Sequence, residues 1–281
     1  MPARTALGQP SNYLVALVAV TRNSTAQLVR APSHARRAQA ARRLARHTLL
    51  TCAIGAAAVI ALMFVLDGWE IGVMPLRGTP DLWPVRILTD FGKDAYVLWS
   101  LAGALVIVAF ASAGRGGASR AKLLRLGTRL QYLFFAVLVS VLAAELVKWT
   151  AGRGRPFVGG KANAFNFEPF TGTEAYFSFP SGHAVTAFAL AFAVGAAWPR
   201  ARLAMYVYAV VIATTRLVLL AHHPSDVVAG ALIGVVGAMA VRYWFAARRL
   251  GFAIGNDGTI VPLPGHRLSR AKRVARGPSA P

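Results

Sequence analysis

The chain has 281 residues, of which 56% are hydrophobic and 15% charged, and 31 Lys and Arg against 10 Asp and Glu give a net charge of +21. A nucleic-acid-binding protein usually carries such a surplus on a polar surface, yet the mean hydropathy of +0.51 leaves little polar surface to carry it. The same hydrophobicity excludes disorder over most of the chain. The single cysteine, Cys52, excludes an internal disulfide. Composition therefore indicates a membrane protein.

Residues 1–48 are predicted to form a basic N-terminal segment that is cytoplasmic or lies at the membrane interface. An apolar stretch at 13–20 is too short to span a bilayer, and with only Arg4 before it we do not expect a strong signal peptide. Residues 31–47 are dense in Ala and Arg. This composition is typical either of an amphipathic helix on an anionic leaflet or of a solvated basic helix.

Six later stretches are apolar enough to predict membrane spans, because a spanning helix needs about 20 mostly apolar residues. They lie at 49–66, 95–113, 130–147, 181–198, 203–221 and 227–241. The fold class that follows is an all-α integral membrane bundle of six transmembrane helices, formed by a domain at 49–250. Residues 251–281, rich in Pro and Arg, are predicted to be a basic, flexible cytoplasmic tail.

The distribution of Lys and Arg predicts the orientation of this bundle. When the loops are assigned alternately to the two sides, 23 of the 31 cations fall on the side of both termini. Cytoplasmic loops carry the excess of Lys and Arg, so both termini are expected in the cytoplasm.

Three clusters of polar residues follow or open the later spans. The first is 148–156, with Lys148 and Arg155; the second is 179–183, with Ser181, Gly182 and His183; the third is 215–226, with Arg216, His222 and Asp226. In the predicted topology all three reach the outer face. Ionisable residues near a span are costly and usually mark function, so these clusters are the candidate site.

The residue types in these clusters suit a phosphate. Guanidinium groups match its oxygens, and the helix start at Ser181 and Gly182 adds backbone N–H groups to an anion site. The spacing from His222 to Asp226 allows the carboxylate to hold one imidazole nitrogen and leave the other for attack. A second histidine, His183, then suits a general acid.

Each residue also has a structural alternative. Lys148 taken alone is more typical of an interfacial lysine or a partner of Glu145, and Pro-Ser-Gly often only begins a helix. Arg153 competes with Arg155, but only Arg155 precedes a proline. His223 is not assigned to the site.

Taken together, Lys148-x6-Arg155-Pro156, Pro180-Ser181-Gly182-His183 and Arg216-x5-His222-x3-Asp226 resemble the three-part motif of the type 2 phosphatidic acid phosphatase superfamily, the lipid phosphate phosphatases. The resemblance covers about a third of the chain. One departure is Thr215, where the family usually has Ser, and the hydroxyl is retained.

The resemblance implies a mechanism without metal or other cofactor. His222 would form a phosphohistidine, Asp226 would orient it, and His183 would protonate the leaving group and then activate water. The phosphoryl oxygens would be bound by Lys148, Arg155, Ser181, Gly182 and Arg216. The expected protein is a phosphatase in the inner membrane of a bacterium, with its site on the periplasmic face.

The expected partners are the bilayer and a lipid substrate, with no nucleic acid. Polyprenyl diphosphate, phosphatidylglycerophosphate, phosphatidic acid and lipid A phosphates are the candidates. A lipid phosphotransferase would use the same intermediate and is not separated by sequence. An anion transporter is disfavoured because the charges gather toward one face and no repeat is evident.

Overall fold

The computed structural model describes residues 12–76, 78–160, 162–255 and 259–263. Nine α-helices lie in these ranges, together with short 3-10 turns and one two-stranded hairpin. The helices are α1 (Tyr13–Val29), α2 (His34–Val65), α3 (Asp67–Val73), α4 (Trp83–Asp90), α5 (Asp94–Ala113), α6 (Gly117–Ala151), α7 (Gly182–Ala197), α8 (Arg202–Val218) and α9 (Pro224–Ala247). The hairpin pairs β1 (Phe252–Ile254) with β2 (Ile260–Pro262) in antiparallel register.

Helix α9 is the centre of the bundle and packs against α2, α6 and α7. The buried face of α7 is almost entirely alanine and glycine. Small residues allow helix backbones to approach closely, which is how helices associate where lipid removes the hydrophobic drive between them. At Gly234 of α9, a Cβ would collide with the carbonyl oxygen of Val185 and lie 2.9 Å from the backbone nitrogen of Ala189.

Five segments of the described chain are long and apolar enough to cross a membrane, and they include α2, α5, α6, α8 and α9. Helix α7, predicted as the fourth span, is apolar but has only 16 residues. An all-α membrane protein agrees with the sequence, whereas the count of exactly six spans stays a prediction. The short stretch at 13–20 is part of α1, which packs on α5.

The two ends of the bundle carry different structures. At one end lie α3, the α4–α5 turn and the long connection between α6 and α7, together with the starts of α7 and α9. At the other end the hairpin packs on the bundle, with Phe252 buried in the main core beside Tyr132 and Phe245. The segment predicted as a flexible tail from residue 251 thus begins with a packed hairpin, because two short apolar runs pair as strands and Phe252 finds a buried face. Residues 264–281 of that tail lie outside the described residues.

The boundary predicted near residue 48 falls within a continuous helix. Helix α2 starts at His34 and runs to Val65, so its basic first turns and its apolar second half form one element. The domain boundaries at residues 48 and 250 therefore remain predictions from sequence composition.

Because α7 and α9 approach closely, adding a single methyl group between them is predicted to lower the stability of the folded protein. Gly234→Ala is expected to destabilise the folded protein by about 1–3 kcal/mol, because the new Cβ meets backbone atoms that cannot rotate away. The thermal midpoint in detergent measures this effect. Gly103→Ala on α5 is the matched control, since a Cβ there meets nothing within 4 Å. Equal midpoints for the two variants would contradict this account of the packing.

Candidate active site

The first motif cluster takes its position from the end of α6. Gly152 ends this helix with a left-handed backbone, φ 55°, and its N–H donates to the carbonyl of Lys148. A side chain at Gly152 would collide with the carbonyl of Glu168, so glycine permits the crossing of the two chain segments. The turn leaves Lys148 on the helix and sends Arg153 and Arg155 into the connection to α7.

Residues from all three clusters line one cavity of about 350 Å³ at this end of the bundle. Among the predicted site residues, those lining this "motif cavity" are Lys148, Arg155, Gly182, His183, Arg216 and His222. Asp94, Glu145 and Glu174 also line it. The remaining two predicted residues, Ser181 and Asp226, are buried behind the cavity wall.

His222 is held by a main-chain carbonyl. Its Nδ1 lies 2.7 Å from the carbonyl oxygen of Ser178, so Nδ1–H is the donor and Nε2 is the nitrogen left for chemistry. Burial, reinforced by the positive charge of Arg216, lowers the pKa of His222 well below its usual value. The imidazole is therefore neutral at pH 7, as a nucleophile must be.

Asp226 does not make the direct hydrogen bond to His222 that the four-residue spacing led us to expect. The nearest approach, from Nδ1 to Oδ2, is 4.0 Å. Its carboxylate instead accepts from the Ser178 hydroxyl at 2.6 Å and from the backbone N–H of His223 at 2.9 Å. Because Ser178 also supplies the carbonyl that holds His222, Asp226 reaches the imidazole through Ser178.

The principal partner of Asp226 is Arg153, a residue that the sequence did not assign to the site. The fully buried guanidinium lies 2.5 Å from Asp226 Oδ1 and 2.8 Å from Asp67 Oδ2, and it donates to the Ala164 carbonyl and the Ser225 hydroxyl. Asp67 also accepts from the Ser225 backbone N–H at 3.0 Å. These five residues, which we call the Arg153 network, join α3, the α6–α7 connection and α9. The sequence signal for Asp67 was its position as an acid directly after a span.

The cations of the motif cavity are each placed by neighbouring groups. Lys148 pairs with Glu145 at 2.5 Å, as the structural alternative for this lysine anticipated. Nε of Arg155 donates to the carbonyl of Glu174, and Nη1 of Arg216 donates to the hydroxyl of Thr89 at 2.9 Å. These contacts hold the three cations at the cavity wall, where charged donors make strong hydrogen bonds to an anion.

Two of the predicted site residues at the start of α7 carry buried polar atoms that no described residue satisfies. They are the hydroxyl of Ser181 and Nε2 of His183, both at the start of α7. Buried polar atoms are normally hydrogen-bonded, and exceptions usually have a functional reason. The start of α7 also places Gly182 beside Lys148, since a Cβ there would lie 3.1 Å from Nζ. Donors and a cation thus converge on one wall of the cavity.

Comparison with known proteins agrees with this geometry. Residues 129–250 match the PAP2 superfamily. A lipid A 1-phosphatase of Rhizobium johnstonii is 34% identical over 212 residues, which are 72% of this chain and 82% of that protein. A lipid A 1-phosphatase of Rhizobium etli is 34% identical over 177 residues, 62% of this chain and 75% of that protein. No solved structure matches the chain significantly.

Cations and histidines meet at one end of an apolar helical bundle, an arrangement that suits a membrane-bound phosphatase. The chain belongs to the PAP2 superfamily, and the family resemblance seen in the sequence is confirmed. It is accordingly a hydrolase of the lipid phosphatase class.

The Arg153 network predicts a large effect of removing its central cation. Arg153→Gln is expected to destabilise the protein by about 3–5 kcal/mol, because it leaves two buried carboxylates without their counter-charge. Asp67→Asn should also lower the thermal midpoint, and the double variant should lose less than the sum of the two. The exposed Arg200→Gln is the control for charge. Additive losses would contradict a direct coupling between Arg153 and Asp67.

Glu70 of α3 predicts a pH dependence of stability. Burial and the charges of Asp67 and Asp226 raise its pKa from the usual 4.5 to about 8. The folded state thus binds a proton that the unfolded state has lost, and this group makes stability fall as pH rises from about 4.5 to 8.

Glu70→Gln should remove this slope. The variant is expected to match the parent near pH 5 and to exceed it at pH 8 by about 1 kcal/mol or more, roughly 2–4 °C in thermal midpoint. Asp81→Asn, at an exposed acid, serves as the control. Parallel midpoint curves for parent and Glu70→Gln across this range would show that Glu70 is ionised in the folded protein.

Proposed function

We propose that this protein removes a phosphate from the sugar head group of a lipid, with the 1-phosphate of lipid A as its substrate, through a phosphohistidine intermediate. The observation that carries the proposal is the meeting of six residues from three separate sequence motifs at one cavity. The choice of lipid A follows the relatives with that activity, whose similarity covers most of their length. Polyprenyl diphosphate, phosphatidylglycerophosphate and phosphatidic acid are the competing substrates.

The first chemical step forms a bond between His222 Nε2 and phosphorus and breaks the bond from phosphorus to the lipid oxygen. Neutral His222 supplies the electron pair, and the Ser178 carbonyl, held near Asp226, keeps Nδ1–H in place and stabilises the charge that develops on the ring. His183 gives a proton to the leaving oxygen. In the second step His183 takes a proton from water, the water oxygen attacks phosphorus, and the bond to His222 breaks.

The negative charge of the phosphoryl group is balanced by the cations of the motif cavity. Arg155 and Arg216 suit paired phosphoryl oxygens, and Lys148 adds a point charge beside the start of α7. The N-terminal end of α7 contributes its dipole and backbone N–H groups at Gly182. Stabilising the transition state in this way requires no metal ion in the proposed mechanism.

A second cavity supports a head group larger than one phosphate. This "side cavity", of about 250 Å³, shares Arg155 and Arg216 with the motif cavity and adds Arg86, Leu219 and Ala221. Arg86 is exposed, and its Nη2 donates to the Thr79 carbonyl at 3.0 Å. A sugar with further anionic groups fits a space with cationic and apolar walls beside the phosphate.

The lipid would reach the cavity from the membrane surface. Several aromatic residues in and near the α6–α7 connection are exposed, namely Trp149, Phe157, Phe165, Phe167 and Phe170. Aromatic side chains are enriched where a protein meets the headgroup layer. With both termini cytoplasmic, as the charge distribution indicates, this end would face the periplasm of an inner-membrane protein.

A phosphate-release panel tests the substrate assignment. Purified protein in detergent, with a metal chelator present, should release phosphate from the 1-position of lipid A faster than from the other candidate lipids. His222→Ala should reduce release at least about a thousandfold, because no covalent intermediate can form. His34→Ala, at an exposed histidine of α2, should retain full activity.

Each assignment has an outcome that would overturn it. Full activity of His222→Ala would exclude the phosphohistidine, and loss of activity with the chelator would indicate a metal. A phosphorylated acceptor lipid in place of free phosphate would make the protein a phosphotransferase. Preference for a polyprenyl diphosphate would keep the mechanism and replace the substrate.

A further inference from the structure

A pocket of about 390 Å³ lies at the end of the bundle opposite the motif cavity. This "basic pocket" is formed by the α1–α2 connection, the first turns of α2 and the last turns of α9, and its walls include Arg37, Leu44, Tyr243, Trp244 and Arg248. Helix α9 begins at the motif cavity and ends here, 24 residues and roughly 36 Å away. The pocket is thus separate from the proposed chemistry.

The charge of the basic pocket is positive and poorly compensated. Arg248 is 7% exposed and its guanidinium lies 3.4 Å from the ring centre of Trp244. Its Nε is buried and finds no hydrogen-bond partner in the described parts of the chain. Arg30 donates to the Arg248 carbonyl at 2.7 Å, which brings another guanidinium to the same place.

Burial, together with the like charges of Arg37 and Arg30, lowers the pKa of Arg248. No acidic side chain is among the residues that line this pocket in the described chain. Three arginines that repel one another in a partly apolar pocket are stabilised when an anion binds between them.

We propose that the basic pocket binds an anionic phospholipid, with its phosphate on Arg37 and Arg248 and an acyl chain along the apolar wall. Guanidinium groups match phosphate oxygens, and Tyr243 and Trp244 are the amphipathic residues found at the headgroup layer. The apolar wall, which includes Val29, Ala40 and Leu44, gives the chain of a lipid a surface that a free phosphate would not use. The lipid joins the α1–α2 region to α9.

The basic tail is excluded as the occupant by its charge. Residues 264–281 contain Arg267, Arg270, Lys272, Arg273 and Arg276 and no acidic side chain. A bilayer offers the missing anion directly, because anionic headgroups attract basic segments near a membrane surface. The bound lipid therefore compensates charge that the tail would only increase.

Native mass spectrometry of the full-length protein released from detergent tests this site. After incubation with equal amounts of phosphatidylglycerol and phosphatidylcholine, the parent protein should retain one phosphatidylglycerol. Arg37→Gln and Arg248→Gln should each weaken this retention at least about tenfold, since each removes a charged hydrogen-bond donor. Arg42→Gln is the matched control, because Arg42 lies exposed on the same helix and does not line the pocket.

Three results would overturn the proposal. The first is equal retention of phosphatidylglycerol by the parent, Arg37→Gln and Arg248→Gln. The second is an equal loss of retention in Arg42→Gln, which would indicate general charge attraction. The third is retention of phosphatidylcholine by the parent equal to that of phosphatidylglycerol. Thermal stabilisation by inorganic phosphate as large as that by phosphatidylglycerol would assign the site to a free anion. Arg37 is exposed, so Arg37→Gln should fold and decides the test if Arg248→Gln does not.

Discussion

The geometry of the active-site end depends on one buried cation, the guanidinium of Arg153. It pairs with Asp67 on α3 and Asp226 on α9, and all three side chains are fully buried. Burying such charges is costly unless each is paired and hydrogen-bonded, and here the Ala164 carbonyl and Ser225 complete the bonding. Removing Arg153 leaves both carboxylates without their counter-charge. The network therefore fixes three chain segments relative to one another at the place where the motifs meet.

This constraint determines how the proposed nucleophile is oriented. Asp226 is held by Arg153 and contacts Ser178 through its second oxygen, so it lies 4.0 Å from His222. The bond that holds the imidazole comes from the Ser178 carbonyl, which the α6–α7 connection supplies. A main-chain acceptor fixes the tautomer as a carboxylate would, with less charge beside the ring. Asp226 is therefore linked to His222 through Ser178, whose hydroxyl it holds and whose carbonyl holds the imidazole.

The features that depend on local sequence pattern were predictable from the sequence. Apolar runs predicted the helices that contain the spans, and motif spacing predicted that Lys148, Arg155, His183, Arg216 and His222 would meet, as they do at the motif cavity. Long-range pairing was not predictable in this way. Arg153 meets Asp67 across 86 residues, and no spacing rule connects a span end with a loop arginine. The hairpin after residue 251 was missed because its burial depends on a face of the bundle that only packing creates.

The arginines that contribute to the net charge of +21 have two kinds of surroundings in the folded protein. Arg153 has internal carboxylate partners and serves the structure. Arg155 and Arg216 at one end, and Arg37 and Arg248 at the other, line cavities. Arginines that line a cavity favour an anionic ligand, because guanidinium groups make strong hydrogen bonds to anions. In the proposed function, the ligand at the motif end is the substrate phosphate, which is released at each turnover. At the opposite end we propose a resident headgroup, and no histidine is among the described residues that line that pocket.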